Sequence, residues 1–188
     1  VAMAVTRDRI AGTIGGGHLE YEAMRLAREA LVGANAGPPA HWLVRFPLSA
    51  RLGQCCGGVA TLAFAVVDAS TAPWLDGAAA LARASEPFAV VGRLGHGDAV
   101  AARLLVTAGN AVGTLREVRL DAAAVAEARA RLGRRPDEVP GGSGALDIAG
   151  VPLFVHVCRP ATFSVCVFGN GHVGRALVQV LGALPASV

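Results

Sequence analysis

Two short segments contain the residue types that could bind and react with a small molecule. Gly15, Gly16 and Gly17 follow an apolar strand-like run, and His18 after them opens a helical pattern. A glycine turn before a helix lets backbone amides approach an anion at the positive end of the helix dipole. The second segment sets two soft thiols among small residues: Gln54, Cys55, Cys56, Gly57 and Gly58. Together they predict a site for a phosphate-bearing, sulfur-reactive ligand.

The glycine run also has a simpler explanation, because three glycines can form a turn that backbone sterics alone require. His18 would lie near the helix start, where an imidazole could donate to an oxyanion; a surface histidine without a role is the equal alternative. Glu20, in the first helical turn, is interpreted as a complement to the helix dipole.

The adjacent cysteines are predicted to be free thiols. They lack the two-residue spacer that is usual in structural zinc sites, and a disulfide between neighbours is strained. In an extended segment their side chains diverge, so we expect one of Cys55 and Cys56 to be buried and the other to bind a soft metal centre or transfer sulfur. Core packing of both is the alternative. Cys158 and Cys166 are interpreted as small core residues in or beside strands.

A second glycine turn follows the apolar run 163–168 and precedes a helical pattern. Strand, glycine turn and helix in this order are typical of the start of a dinucleotide-binding fold. Its candidate nucleotide-binding residues are Gly169, Gly171 and Gly174. The acidic partner expected about twenty positions later would lie beyond Val188, so the sequence does not test nucleotide binding.

Strands and helices alternate along the chain, which predicts an α/β protein. The N-terminal α+β domain is predicted over residues 1–157, a linker over 158–162, and the truncated first strand, turn and helix of a Rossmann-like domain over 163–188. Asp121 is the expected N-cap of a helix that runs to Leu132. We expect no internal repeat.

The composition is that of a globular protein, with 53% hydrophobic and 16% charged residues. The longest apolar stretch, residues 59–67, has the length of a strand, so no membrane association is expected. The net charge is +3, and every basic residue is an arginine. The absence of lysine excludes Schiff-base chemistry and a Walker-type phosphate loop. The arginines lack aromatic neighbours, so no nucleic-acid surface is predicted, and the cysteine usage favours a reducing, cytoplasmic location.

Three motifs in this order and spacing resemble those of the XdhC/CoxI family of xanthine dehydrogenase accessory proteins. They are Thr13-Ile-Gly-Gly-Gly-His-Leu-Glu20, Leu52-Gly-Gln-Cys-Cys-Gly-Gly58 and Val167-Phe-Gly-Asn-Gly-His-Val-Gly174. The resemblance implies a maturation factor, not an enzyme. Such proteins bind the molybdenum cofactor (molybdopterin) and protect it while a cysteine desulfurase installs its sulfido ligand. They then deliver it to an apo xanthine dehydrogenase or a related molybdenum hydroxylase.

On this resemblance, the amides of Gly15 to Gly17 would hold the cofactor phosphate, and Cys55 or Cys56 would lie beside the molybdenum. We expect a homo-oligomer and a fragment that lacks the family's N-terminal segment and most of its C-terminal domain. Two alternatives belong to other classes. One is an NAD(P)-dependent oxidoreductase that uses the turn at Gly169–Gly174, and the other is a non-catalytic docking protein.

Overall fold

The computed structural model describes residues 2–32, 41–48, 58–67, 73–95, 102–134, 142–159, 163–182, 184 and 186–187. Helices and strands are both present in this part of the chain, which confirms an α/β protein. The helices are α1 (Gly17–Val32), α2 (Pro73–Arg83), α3 (Val118–Gly133) and α4 (His172–Leu181). The strands are β1 (Met3–Val5), β2 (Ile10–Gly12), β3 (His41–Pro47), β4 (Val59–Ala65), β5 (Phe88–Arg93), β6 (Arg103–Val106), β7 (Ala111–Gly113), β8 (Gly144–Ile148), β9 (Val151–Cys158), β10 (Phe163–Ser164) and β11 (Ala186–Ser187).

The chain divides into two compact units, Val1–Ser70 with Leu94–Ala101, and Thr71–Arg93 with Ala102–Val188. The first unit contains two separate antiparallel pairs, β1 with β2 and β3 with β4. In the second pair, the rings of Trp42 and Phe64 stack with their centroids 4.8 Å apart. Helix α1 leaves the β1–β2 hairpin and buries Ala23 and Ala30.

The second unit is built on a five-stranded antiparallel sheet with the order β7-β6-β5-β9-β8. Helix α3 covers one face through Leu120, Ala124 and Ala128, which pack with alternate residues of β5, β6 and β9. Helix α2 packs on the other face, where Ala78 meets Phe88 and Leu105. Because successive strand residues point to opposite faces, β5 and β6 contribute to both cores.

The C-terminal segment has the predicted order of strand, glycine turn and helix. The strand is shorter than the expected 163–168, because only β10 pairs, in parallel with β11. None of the residues of α4 is buried. The Rossmann-like character of this segment and the predicted domain boundaries stay predictions. Cys158 ends β9, and residues 160–162 of the expected linker lie outside the described residues.

The expected N-cap of α3 is wrong. The helix begins at Val118 with Glu117 as its N-cap, and Asp121 lies one turn inside the helix. Its carboxylate accepts the hydroxyl of Thr114 at 2.6 Å and the amide of Leu115 at 2.6 Å. Asp121 therefore ties the helix to the residues that follow β7, which is a tertiary role that a capping pattern does not reveal.

The expectation of no internal repeat is also wrong. The hairpin β1–β2 and helix α1 correspond to the hairpin β6–β7 and helix α3 at one constant offset, which takes Gly12 to Gly113. Both hairpin turns close with the same bonds: Thr6 donates its amide to Arg9 carbonyl at 2.9 Å, and Thr107 donates to Asn110 at 2.8 Å. Identical residues at this offset are Val5/Val106, Thr6/Thr107, Gly12/Gly113, Thr13/Thr114, Leu19/Leu120, Ala23/Ala124, Ala27/Ala128, Arg28/Arg129 and Leu31/Leu132.

The two copies also share a backbone position that only glycine can occupy. Gly12 and Gly113 both have positive φ, +80° and +97°. A Cβ at Gly12 would come within 2.6 Å of the carbonyl oxygen of Ala2, and one at Gly113 would meet the carbonyl oxygen of Arg103. Glycine is required at both points because the end of each hairpin passes too close to its partner strand for a side chain.

Candidate functional site

The predicted glycine turn connects β2 to α1. Gly15, Gly16 and Gly17 all adopt left-handed backbone conformations, with φ of 120°, 75° and 67°. A Cβ added to Gly15 or Gly16 would meet no atom within 4 Å. Gly15 and Gly16 are therefore required by their φ values and not by crowding, and the space beside them is open to a ligand.

A carboxylate of the chain itself uses part of this turn. Glu20 accepts the hydroxyl of Thr13 at 2.5 Å and the amides of Ile14 and Gly16 at 3.0 Å each. These bonds lower the pKa of Glu20, with the Thr13 hydroxyl as the largest cause. Glu20 is thus a fixed clamp on the turn, where the sequence indicated only a complement to the helix dipole.

The remaining amides define what the turn can still bind. The amide of Gly15 donates to the hydroxyl of Thr13 at 3.2 Å. Within the described part of the chain, no acceptor takes the amides of Gly17, His18 and Leu19, the first three of α1. First-turn amides have no partner inside their own helix, and they carry the positive end of its dipole. Among the described residues, these three donors therefore remain available to an anion.

The imidazole of His18 lies over the first turns of α1. Its Nε2 is 3.8 Å from a carboxylate oxygen of Glu22, and its ring meets that of Tyr21 edge to face. The side chain is half exposed. In this conformation it contacts its own helix, and its predicted contact with an oxyanion stays a prediction.

The cysteine segment is described only at its end. Gln54, Cys55, Cys56 and Gly57 lie outside the described residues, and their predicted roles stay predictions. Gly58 is exposed, with φ of 129°, and its carbonyl accepts the amide of Leu48 at 3.0 Å. This bond brings the two ends of the β3–β4 connection together, so the cysteines belong to a connection that closes at its base.

The second glycine turn has one tight contact. A Cβ at Gly174 would lie 2.5 Å from the carbonyl oxygen of Gly169, whereas Gly171 has open space around it. Gly174 is therefore needed for the close passage of α4 over the turn, as the glycine spacing predicts. The turn is exposed, and Arg175 donates to the side chain of Asn170 at 3.2 Å.

The two described cysteines differ from each other. Cys158 is half-buried against the α2 face of the sheet, and burial raises the pKa of its thiol. Cys166 is exposed, so its interpretation as a core residue is wrong. Among the described residues, no cluster of three or more His, Cys, Asp or Glu side chains could hold a metal ion.

The second copy of the turn offers an internal comparison. Where the first copy has three glycines, the second has Arg116, Glu117 and Val118. Asp121 accepts hydrogen bonds from Thr114 and Leu115, as Glu20 does from Thr13 and Ile14. Glu117 carboxylate accepts a hydrogen bond from Arg93, at the end of β5, at 3.0 Å. Two of the clamp bonds therefore form without glycines, whereas the third, from the Gly16 amide to Glu20, is made only in the glycine turn.

The family model for the XdhC and CoxI family matches residues 1–46, which include β1, β2, α1 and the glycine turn. The match confirms the family assignment for this segment, which contains the first of the three motifs, Thr13–Glu20. It supports an accessory role in xanthine dehydrogenase maturation, in a family of maturation factors and not of catalytic subunits. No curated protein matches the chain. No helix in the described ranges has the length and apolar character needed to cross a membrane.

Proposed function

We propose that the protein binds the molybdenum cofactor as cargo, protects it during sulfuration and delivers it to an apo xanthine dehydrogenase-type hydroxylase. One observation carries this proposal: the first three amides of α1 have no acceptor in the described part of the chain, and they adjoin Gly15 and Gly16, where an added Cβ would meet no atom within 4 Å. A phosphate group fits there, because it accepts several hydrogen bonds and is favoured by the helix dipole. The choice of the molybdenum cofactor as the cargo rests on the resemblance to the XdhC and CoxI family.

Each part of the turn has a distinct role in this proposal. Glu20 holds the backbone of the turn through Thr13, Ile14 and Gly16, and so fixes the direction of the free amides. The amides of Gly17, His18 and Leu19 bind the phosphate. A carboxylate near the anion is unfavourable in itself, but the hydrogen bonds to Glu20 offset part of its charge.

The thiol of Cys55 or Cys56 completes the proposed site. A thiolate is the protein ligand that suits a soft, sulfur-bound metal centre, and molybdenum in this cofactor is held by a dithiolene. The thiol would protect the metal position while a cysteine desulfurase supplies the sulfur atom. The client hydroxylase, the desulfurase and a homo-oligomer are the partners that this function requires.

The two copies of the turn provide a direct test of the phosphate cradle. Residues 15–18 of the full-length protein are replaced by Arg-Glu-Val-Arg, the residues of the second copy at 116–119. This exchange keeps Thr13 and Glu20, so we expect folding with loss of copurified molybdopterin. The reverse exchange, which puts Gly-Gly-Gly-His at 116–119, should leave molybdopterin near one per chain.

The outcome that contradicts the cradle is a folded variant of residues 15–18 that retains the parent amount of molybdopterin. Circular dichroism and size-exclusion chromatography establish folding in both exchanges. If the variant of residues 15–18 does not fold, Gly16→Ala is tested in its place. This substitution keeps the charge pattern of the turn and adds a Cβ in open space. The expected result for a folded Gly16→Ala variant is weaker binding; unchanged binding opposes the proposal.

The cysteine pair needs a separate experiment. We expect the variant with Cys55→Ser and Cys56→Ser to bind molybdopterin less tightly and to deliver less sulfurated cofactor to the apo-hydroxylase. The matched control is the variant with Cys158→Ser and Cys166→Ser, which should behave as the parent. Equal cofactor binding and delivery by all three proteins would exclude a thiol role.

A further inference from the structure

Helix α1 has a groove along the side that faces away from its buried residues, Ala23 and Ala30. The groove has a volume of about 540 Å³, and its described lining consists of Tyr21, Met24, Arg25, Arg28, Glu29 and Val32. These residues follow one another at steps of three and four, so they form one stripe along the helix. The volume lies in the range of small-molecule pockets, which is about 300–1,000 Å³.

The second copy of the repeat has a different surface on the corresponding side of α3. At the constant offset, Ala122 stands in the place of Tyr21, and Ala130 stands in the place of Glu29. Both alanines are exposed, and α3 packs on its sheet through its other side. The packing of the repeat helix therefore does not depend on large side chains at these positions. The groove is a feature of the first copy, as the triple glycine is.

One arginine is shared by the two copies but has different surroundings in each. Arg129 donates from its Nε to the carbonyl oxygen of Thr107 at 3.3 Å, which ties α3 to the hairpin turn before it. The Nε of its counterpart, Arg28, is buried and has no hydrogen-bond partner in the described part of the chain. A buried donor is unfavourable until an acceptor reaches it. The other charged lining residues, Arg25 and Glu29, form an ion pair at 2.6 Å, so Arg28 is the described lining cation left for a bound acceptor.

The groove begins beside the glycine turn. The ring of Tyr21, at one end of the groove, meets the ring of His18 edge to face, with the centroids 6.1 Å apart. Tyr21 lies about 6 Å along the helix axis from Gly17, the first residue of α1. Helical side chains lean toward the N-terminus, which brings the lining closer to the free amides. A small molecule whose phosphate is held by these amides therefore reaches the groove with its remaining atoms.

We propose that the groove binds the flat heteroaromatic ring of the ligand whose phosphate is held at the glycine turn. Tyr21 and Met24 pack against this ring, since aromatic and thioether groups make favourable contacts with flat rings. Arg28 donates to the oxygen and nitrogen acceptors of the ring, for which its planar guanidinium is suited. The inference rests on the proposed function, which makes the ring that of the cargo: a pterin, which is flat and carries such acceptors along its edge.

Tyr21 is the only tyrosine of the 188-residue chain, which makes it a specific probe of the groove. The chain is labelled with 3-fluorotyrosine, and Tyr21→Phe assigns the fluorine NMR signal. The signal is followed during titration with molybdopterin, with a pterin that lacks a phosphate, and with inorganic phosphate. We expect both pterins to shift the signal, because each places a ring beside Tyr21, and phosphate alone to shift it much less. A signal that neither pterin shifts overturns the proposal.

The role of Arg28 is tested by Arg28→Met, which removes the donors and keeps an unbranched side chain. We expect molybdopterin to bind about tenfold or more weakly, because a hydrogen bond to a charged group is lost. The melting temperature without ligand should not fall, since the Nε of Arg28 has no partner among the described residues. The matched control, Arg129→Met, should bind molybdopterin as the parent does and lose thermal stability, because its bond to Thr107 is removed. Parent affinity in a folded Arg28→Met variant overturns the proposal.

The groove and the phosphate cradle are tested separately. If the exchange of residues 15–18 leaves molybdopterin binding unchanged while Arg28→Met weakens it, the cradle is wrong and the groove is supported. If the exchange abolishes binding while Arg28→Met has no effect, the cradle is supported and the groove is wrong. A parent dimer in sedimentation that Tyr21→Ala converts to a monomer, with molybdopterin binding unchanged, assigns this side of α1 to a second copy and overturns the proposal.

Discussion

Glu20 accepts three hydrogen bonds that favour its ionised form, from the hydroxyl of Thr13 and the amides of Ile14 and Gly16. Its pKa is therefore lower in the folded protein than its ordinary value of 4.5, mainly because of Thr13. A carboxyl with a lowered pKa adds stability above its unfolded pKa, and this contribution is lost as the pH falls through the folded pKa. The clamp should thus weaken in acid.

We expect Glu20→Ala to lower the melting temperature near neutral pH, and the difference from the parent to shrink as the pH falls below 4.5. Thermal unfolding followed by circular dichroism from about pH 7 to about pH 3 measures this difference. The control is Glu29→Ala on the same helix, whose carboxylate forms an exposed ion pair with Arg25 and should matter little. A difference between parent and Glu20→Ala that is constant across this range would contradict the clamp.

Cys158 and Cys166 should differ in reactivity. Burial raises the pKa of the Cys158 thiol, and the thiolate is the reactive form, whereas Cys166 is exposed. With Cys55 and Cys56 changed to serine, we expect a disulfide reagent at about pH 8 to modify Cys166 first and Cys158 much more slowly. Peptide mass spectrometry over time resolves the two sites. Faster modification of Cys158 would show that the α2 face of the sheet is open in solution.

At the scale of elements, Arg159 stabilises the end of α3. Its Nη2 donates to the carbonyl oxygens of Arg131 at 2.8 Å, Leu132 at 3.3 Å and Arg134 at 3.0 Å. The last carbonyls of a helix have no partner inside it, and a cation there is favoured by the dipole. The side chain thereby ties the end of β9 to the end of the helix that covers the same sheet.

We expect Arg159→Ala to lower the free energy of unfolding by about 1.5–3 kcal/mol, the range for hydrogen bonds to a charged group. Arg134→Ala is the matched control, since its side chain is exposed and only its backbone carbonyl takes part. Urea unfolding monitored by circular dichroism gives both values. A loss of equal size in the two variants would mean that the carbonyl contacts of Arg159 contribute nothing.

The sequence predicted most helices and strands because their apolar periods are regular, as in α1 and β9. It misplaced the start of α3, since Asp121 looks like a cap but serves as a clamp through tertiary hydrogen bonds. The repeat is not predicted from motifs because its two turns have different residues and its carboxylates are Glu20 and Asp121, although the flanking strands and helices share identical residues at one offset. The equivalent roles of the two carboxylates are shown by their hydrogen bonds. The cysteine half of the site remains a prediction from sequence.

At the scale of the whole molecule, the chain contains two copies of one hairpin, turn and helix. The shared parts, Thr13 with Glu20 and Thr114 with Asp121, are those that build the turn. The parts found in the first copy alone are the glycines and His18. The first three helix amides lack an acceptor among the described residues in both copies, and the glycines keep side chains out of the space beside them in the first copy. In the second copy Glu117 projects a carboxylate of its own, which Arg93 binds. The comparison of the two copies thus distinguishes the residues that build the turn from those that could bind a ligand.

This separation predicts how ligands change the stability of the protein. A ligand that binds only the folded state stabilises it by about 2.7 kcal/mol at a concentration of one hundred times Kd. We expect molybdopterin to raise the melting temperature of the full-length parent and of the reverse-exchange variant, and to leave the variant with Arg-Glu-Val-Arg at 15–18 unchanged. Inorganic phosphate at high concentration should compete with it, since the cradle recognises the phosphate. Equal stabilisation of all three proteins would show that the anion binds at a site other than the glycine turn.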